Sequence, residues 1–312
     1  LSGYGVVNAY GDLKRVLMHR PGPELGLVTE QTLEEFHFER PVDRARFVAE
    51  YDVMVRCLED HGVETLLLTD VLADDADAMG YIAHRPNMTY TRDLAATFKD
   101  GAVLMSPHLK GRWGDQHMLR RAFSRLAVPV LGAIEPPGFL EGGGVTLLGD
   151  DTAVVSLCDR ANEAGTHMLR ELVLGSQVKY VLEVPLPFGL IHIDGVFMVV
   201  DHDLALIYPD AFRVFPCRLY EHGRSEPRHV LLEELLDERG VRTIPITPTE
   251  RDRGDLNVVV TRRSATAVGF DSATRIASEM EALGWRLTPF AADELFRGNG
   301  GAHCMTCPVE IG

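Results

Sequence analysis

Five times along this chain, apolar residues at helical spacing give way, across a short turn that often holds glycine, to a compact apolar run of strand character. The helical stretches are 42–60, 115–126, 161–174, 230–239 and 272–283, and the runs that follow them are 63–68, 128–131, 178–184, 241–246 and 285–290. Further strand segments lie between these units, over 6–19, 89–105, 145–157, 190–207 and 256–270. The pattern reads as one strand-rich unit with a crossover helix, used five times at roughly 45 to 65 residues per copy, without sequence identity between copies. Such a unit cannot bury its apolar face alone, so copies must pack side by side around a shared centre. A closed ring and a continuous doubly wound sheet both satisfy that need. The mixture of hairpin-like pairs with crossover helices disfavours an all-parallel sheet. In a ring, loops and strand ends from every unit converge on one central pocket.

Composition leaves that architecture unchanged but narrows the function. The 312 residues are 46% hydrophobic and 25% charged, ordinary globular material. No apolar run reaches the ~18 residues that cross a bilayer, and the N-terminal stretch lacks a basic segment followed by an apolar core. A soluble, cytoplasmic protein with no membrane partner is the expectation. A net charge of −15 argues against a nucleic-acid partner, because phosphates call for a basic surface, and weakly favours a cationic small substrate. Cys57, Cys158, Cys217, Cys304 and Cys307 are too few and too scattered for a disulfide framework, so the thiols are read as reduced.

Candidate chemistry lies at the margins of the strand segments. A glycine-rich turn, Gly300-Gly301-Ala302-His303, delivers Cys304 into a short apolar segment near the C-terminus, an arrangement suited to a nucleophilic thiol. His192 and Asp194 are two apart in the apolar segment 190–200, so an extended strand puts both on one face. Glu141 opens the run Gly142-Gly143-Gly144, and the stretch from Pro86 to Asp93 carries an aspartate to a strand entrance. Taken singly, these are a core histidine, a tight turn and a surface ion pair. Taken together, they are three carboxylates, one histidine and one cysteine converging from four units. That set suits a guanidinium ion, whose planar fork of donors is matched by carboxylates and whose central carbon is open to a thiolate. A histidine would supply the proton that a departing nitrogen needs.

These motifs resemble the arginine deiminases of the guanidino-group-modifying superfamily, which also holds amidinotransferases and dimethylarginine hydrolases. The family pattern has a Pro-Asn motif leading to Thr-Arg-Asp, an EGGD-type motif, a His-x-Asp-x-Val-Phe strand and a C-terminal His-Cys-Met-Thr-Cys-Pro segment. Here they stand in the same order as Pro86 to Asp93, Glu141 to Gly144, His192 to Phe197 and Gly300 to Pro308. The resemblance implies an α/β fold, the pentein or five-fold pseudo-symmetric α/β-propeller of ββαβ units around a central pocket. It makes Cys304 the nucleophile and His192 the general acid and base, with Asp93 and Asp194 binding the guanidinium and Glu141 supporting the histidine. It sets Asn87, Tyr90, Arg112, Arg160 and Asn299 around the rest of a small guanidino amino acid. It implies no metal and no organic cofactor, and a possible homodimer. Four positions depart from the family: Asn299 replaces an arginine, Gly144 the aspartate of EGGD, Ala302 a glycine and Gly195 a threonine. The family's inserted helical bundle is also missing, so 1–312 reads as a single catalytic domain.

Three rival readings compete. Cys304 and Cys307 form a C-x-x-C, but no second pair completes a zinc site and the motif does not open a helix. A non-catalytic arginine-binding protein would not need the full nucleophile and acid/base set. Among enzymes, hydrolysis of L-arginine to citrulline and ammonia competes with amidino transfer to an amine and release of ornithine.

Overall fold

The computed structural model describes residues 3–312, and five small sheets stand around a common axis. Each sheet begins at an innermost strand, turns back antiparallel into a middle strand, and reaches an outer strand that runs parallel to the middle one. In the first blade the middle strand is β1 (Leu13–Met18) and the outer strand β2 (Glu64–Leu67). Helix α1 (Arg44–Asp60) crosses between them, starting where the Asp43 carboxylate accepts the Arg46 backbone N–H. Phe47, Tyr51, Met54 and Leu58 recur at helical spacing on α1 and are completely buried, each worth roughly 1.5–3 kcal/mol of burial.

The second blade holds β3 (Ala95–Phe98), β4 (Gly101–Leu104), helix α2 (Gln116–Arg125) and β5 (Val130–Ala133). The third holds β6 (Val145–Leu148), β7 (Thr152–Leu157), helix α3 (Glu163–Val173) and β8 (Tyr180–Pro185). The fourth begins with β9 (Phe197–Asp201) and β10 (Leu204–Ile207). Its crossover first forms a hairpin, β11 (Cys217–Glu221) and β12 (Arg228–Val230), that extends the third sheet to five strands. It then continues through helix α4 (Leu232–Glu238) into β13 (Arg242–Pro245). The fifth blade is β14 (Val259–Arg262), β15 (Thr266–Phe270), helix α5 (Thr274–Ala282) and β16 (Arg286–Phe290). The last strand, β17 (Cys307–Ile311), is the innermost strand of the first blade and pairs antiparallel with β1, so the two ends of the chain close the ring.

The apolar core is divided into five wedges, one between each pair of neighbouring sheets and each covered by a crossover helix. Strands β3, β6 and β9 are buried throughout and read as nearly continuous apolar runs without alternation. The five-unit ring expected from the sequence is therefore the fold. Several boundaries differ. The segments 89–105 and 190–207 are not strands from their first residues, because each begins with a 3₁₀ turn, Thr91–Leu94 and Ile193–Gly195. The stretch 230–239 is a strand end followed by a shorter helix, and the β11–β12 hairpin was not anticipated.

Candidate active site

Every blade sends a short turn to the same end of the axis, just ahead of its innermost strand. Asp93 lies ahead of β3, Glu141 ahead of β6, His192 and Asp194 ahead of β9, Asn257 ahead of β14, and Cys304 ahead of β17. The glycines after Glu141 make this convergence possible. A β-carbon on Gly142 would run into the backbone oxygens of Arg92 and Ala95, and one on Gly143 would come within 2.5 Å of His192 Nδ1 and 3.0 Å of Asp93 Oδ1. The Arg92 turn is itself pinned to the C-terminal loop. Its backbone N–H donates to the Cys304 carbonyl at 3.2 Å and its Nε to the His303 carbonyl at 3.1 Å.

His192 is held from both sides. Its Nε2 is 2.8 Å from Glu141 Oε2, while its Nδ1 lies 3.7 Å from Asp93 Oδ1 and 3.9 Å from Asp194 Oδ1. His192 is extended and Asp194 sits within the 3₁₀ turn, so the two share the pocket without sharing a strand face. Burial opposes a charge on His192, but Asp93 and Glu141 outweigh it and raise the imidazole pKa above its ordinary value. Burial likewise works against a charged Glu141. The hydrogen bond to His192 and the nearby Arg160 prevail and hold its pKa well below the ordinary range.

The carboxylates of Asp93 and Asp194 differ. Burial dominates at Asp93 and raises its pKa, although Arg112 Nη1 donates to Oδ2 at 2.6 Å; Oδ1 has no hydrogen-bond partner among the described residues. At Asp194 the burial penalty is overcome by the His303 ring, whose Nδ1 lies 2.9 Å from Oδ2, and the pKa is lowered. Cys304 is 9% exposed, with its Sγ accepting from Asn257 Nδ2 at 3.2 Å and lying 3.9 Å from Asp194 Oδ2. Burial, then Asp194 and Asp93, push its thiol pKa far above the usual value, only partly offset by the Gly301 backbone and Asn257.

Two adjoining cavities meet at His192 and Cys304. One reaches in toward Asn87, Tyr90, Arg112 and Arg160, the other opens past Asp194, Asn257 and Arg251, and His37 and Asn299 line both. All ten residues singled out in the sequence are thus brought to one place, but not all are free for a ligand. Arg112 is spent on Asp93 and on the Tyr90 carbonyl at 3.1 Å. Arg160 is held more loosely, through Nη1 alone, 3.4 and 3.5 Å from the two oxygens of Glu141, and keeps capacity for a ligand. Tyr90 is buried with its ring against Gly298 and Gly300. Asp93, Glu141 and His192 offer ligand atoms within 4.8 Å of one another, but Arg112 and Arg160 already set positive charge against both carboxylates, a poor setting for a cation. Sequence reasoning missed Asn257, His37 and the His303 contact. The signal for Asn257 was present: it stands at the entrance of the fifth inner strand, where the other four units carry their chemistry.

The arginine deiminase family model matches residues 75–310, three quarters of the chain and all of the site except its N-terminal edge. The chain belongs to the arginine deiminase family. It is therefore a guanidino-modifying enzyme, carrying out hydrolysis or transfer at such a group. An arginine deiminase of Rhodococcus opacus is 24% identical over 403 aligned positions, covering 98% of this chain and 96% of that protein. One of Mycolicibacterium gilvum is 22% identical, with 98% and 97% covered. Among solved structures, dimethylarginine dimethylaminohydrolase from Pseudomonas aeruginosa, a cysteine-to-serine mutant complexed with citrulline, has a TM-score of 0.71 at 15% identity, covering 95% of this chain and 99% of that one. SxtG, an amidinotransferase from Microseira wollei, gives 0.72 at 11% identity, with 99% and 97% covered. The product-bound N-terminal domain of ArgZ, a cyanobacterial arginine dihydrolase, gives 0.73 at 14% identity, with 96% and 98% covered. These likenesses establish the pentein fold. Among the described residues, no helix is long and apolar enough to cross a membrane.

Proposed function

We propose that this protein hydrolyses the guanidino group of free L-arginine, or of a close guanidino amino acid, to the ureido amino acid and ammonia. The observation that carries the proposal is a buried thiol within 3.9 Å of a low-pKa carboxylate, across one cavity from a histidine held 2.8 Å from a second. Asp93 and Asp194 accept hydrogen bonds from the guanidinium and orient its carbon toward Sγ. Burial and the charges of Asp194 and Asp93 keep the thiol protonated; the arriving cation offsets the two charges, and the Cys304 proton is lost to solvent as substrate binds. The thiolate forms an S–C bond to the guanidino carbon. His192, charged at the outset, gives its proton to one nitrogen, the C–N bond breaks, and ammonia leaves an amidino thioether on Cys304. Neutral His192 then takes a proton from water as the oxygen attacks the same carbon. The C–S bond breaks, the thiolate is restored, and the urea loses its extra proton to solvent. Arginine and water become citrulline and ammonia.

Incubation with L-arginine, with and without acceptor amines, tests the proposal by its products. Citrulline and ammonia without any acceptor are the expected result. Ornithine appearing only with an acceptor would make the protein an amidinotransferase. Arginine binding with no turnover would leave a binding protein.

A further inference from the structure

Three of the residues assigned to the amino-acid end of the substrate are engaged elsewhere. Arg112 is taken up by Asp93 and two backbone carbonyls, and Asn87 donates its amide to the Phe36 carbonyl at 2.9 Å. Asn299, where the family has arginine, donates to the next carbonyl, that of His37, also at 2.9 Å. Side chains expected to touch the substrate thus fasten two successive carbonyls of one turn.

The turn they fasten is strained. His37 adopts the left-handed conformation, φ 55° and ψ 45°, which costs a residue with a β-carbon roughly 1–2 kcal/mol. Asn299 is left-handed too, at φ 59°. The clasp holds the half-buried His37 at the junction of both cavities, beside Asn299 and His192. Neither ring nitrogen of His37 is hydrogen-bonded among the described residues. Arg160, which Glu141 holds only loosely, and His192 line the inner cavity with His37, while Glu141 and Asp159 act on the ring through their charge.

We infer that His37 is the specificity-determining residue of this site, reading with Arg160 a carboxylate at the far end of the guanidino substrate. An imidazole N–H would donate to one carboxylate oxygen while Arg160 supplies the charge, replacing the arginine absent at position 299. Burial and then Arg160 lower the His37 pKa, so the ring is presented chiefly as a neutral donor. The inference rests on the proposed function for the position of the guanidino end.

The test is calorimetric binding of L-arginine and of agmatine, which lacks the carboxylate, to the Cys304→Ala protein with and without His37→Gly. Glycine keeps the left-handed backbone, and His37→Asn, which also tolerates it, serves as a second variant; urea midpoints report on folding. Loss of a hydrogen bond to a charged group predicts arginine affinity falling about 10-fold or more in His37→Gly, less in His37→Asn, with agmatine changing less than about 2-fold in both. Equal loss for both ligands, no loss, or no arginine binding when His37 is present overturns the inference. His37-dependent arginine binding without citrulline formation by the native protein keeps it and removes the deiminase instead.

Discussion

At the residue scale the site rests on opposed charges buried together, and small changes there should be read first in proton affinities. Asn257 is the only side chain donating a hydrogen bond to Cys304 Sγ among the described residues, and its Oδ1 also accepts the His303 backbone N–H at 2.7 Å. Asn257→Ala should lower kcat/KM by roughly 10- to 100-fold, the worth of a hydrogen bond to a charged group, and should slow alkylation of Cys304 by iodoacetamide at fixed pH. Unchanged alkylation would remove Asn257 from thiol activation. Glu141 makes a second case. Its carboxylate helps raise the His192 pKa, and in the proposed reaction His192 must be charged to release ammonia, so activity should fall as pH rises through that raised value. In Glu141→Gln the His192 pKa drops, and the alkaline limb of the kcat/KM profile should move to lower pH, with a loss of at least roughly tenfold at pH 8. A limb that stays in place would assign it to another group. The same pairing stabilises the fold. His192's share is complete below its ordinary 6.5 and is lost as pH rises through the raised value. Glu141's share is present above its ordinary 4.5 and is lost as pH falls through the depressed one.

At the scale of elements, the recurring device is a tight turn ahead of an inner strand, and this is where sequence reading reached its limit. The five helices and most strands were legible, because burial on one helical face and apolar strand runs follow directly from periodicity. The turns Thr91–Leu94 and Ile193–Gly195 were absorbed into strands, since their residues, Thr91 and Ile193 among them, have strand character and only tertiary contacts bend them. Seven of the ten site residues lie within the four motifs, and Arg112, Arg160 and Asn299 follow from their spacing to them; none of the apolar patterns points to His37, whose place depends on the clasp from Asn87 and Asn299. Gly142 shows how much one turn carries. With the Arg92 and Ala95 carbonyl oxygens occupying the space of a β-carbon, Gly142→Ala must push the Glu141 turn away from the Asp93 turn. We expect a loss of about 1–3 kcal/mol in urea unfolding, as in other overpacked cores, and a greater proportional loss of kcat from misplaced Glu141 and His192. Ser or Ala at Gly195, where a β-carbon meets nothing within 4 Å, is the matched control and should leave both near the wild-type values.

At the scale of the whole molecule, ring closure and the proposed nucleophile share one segment. Strand β17 supplies the last hydrogen-bonded edge of the first blade, and Cys304 stands three residues ahead of it in the chain. Leu17 is fully buried in β1 directly opposite Cys307, in the wedge that also holds α2, so its side chain lies where the two ends of the chain meet. Thr91 Oγ1 reaches the carbonyls of both Leu17 and Met305, at 2.9 and 3.1 Å, and ties that junction to the turn bearing Asp93. A cavity at Leu17 should therefore loosen fold and site together. Leu17→Ala is expected to cost about 2–5 kcal/mol in urea unfolding, and the Cys304 loop should open well before global unfolding, seen as faster alkylation of Cys304 at sub-denaturing urea. A chain ended after Thr306 should lack a cooperative transition altogether, because four blades can pack in sequence but the first cannot complete its sheet. If that truncated chain unfolded with the wild-type midpoint, closure by β17 would be an accessory to the fold, and the coupling between the ends of the chain and the position of the proposed nucleophile would have to come from the Thr91 contacts alone.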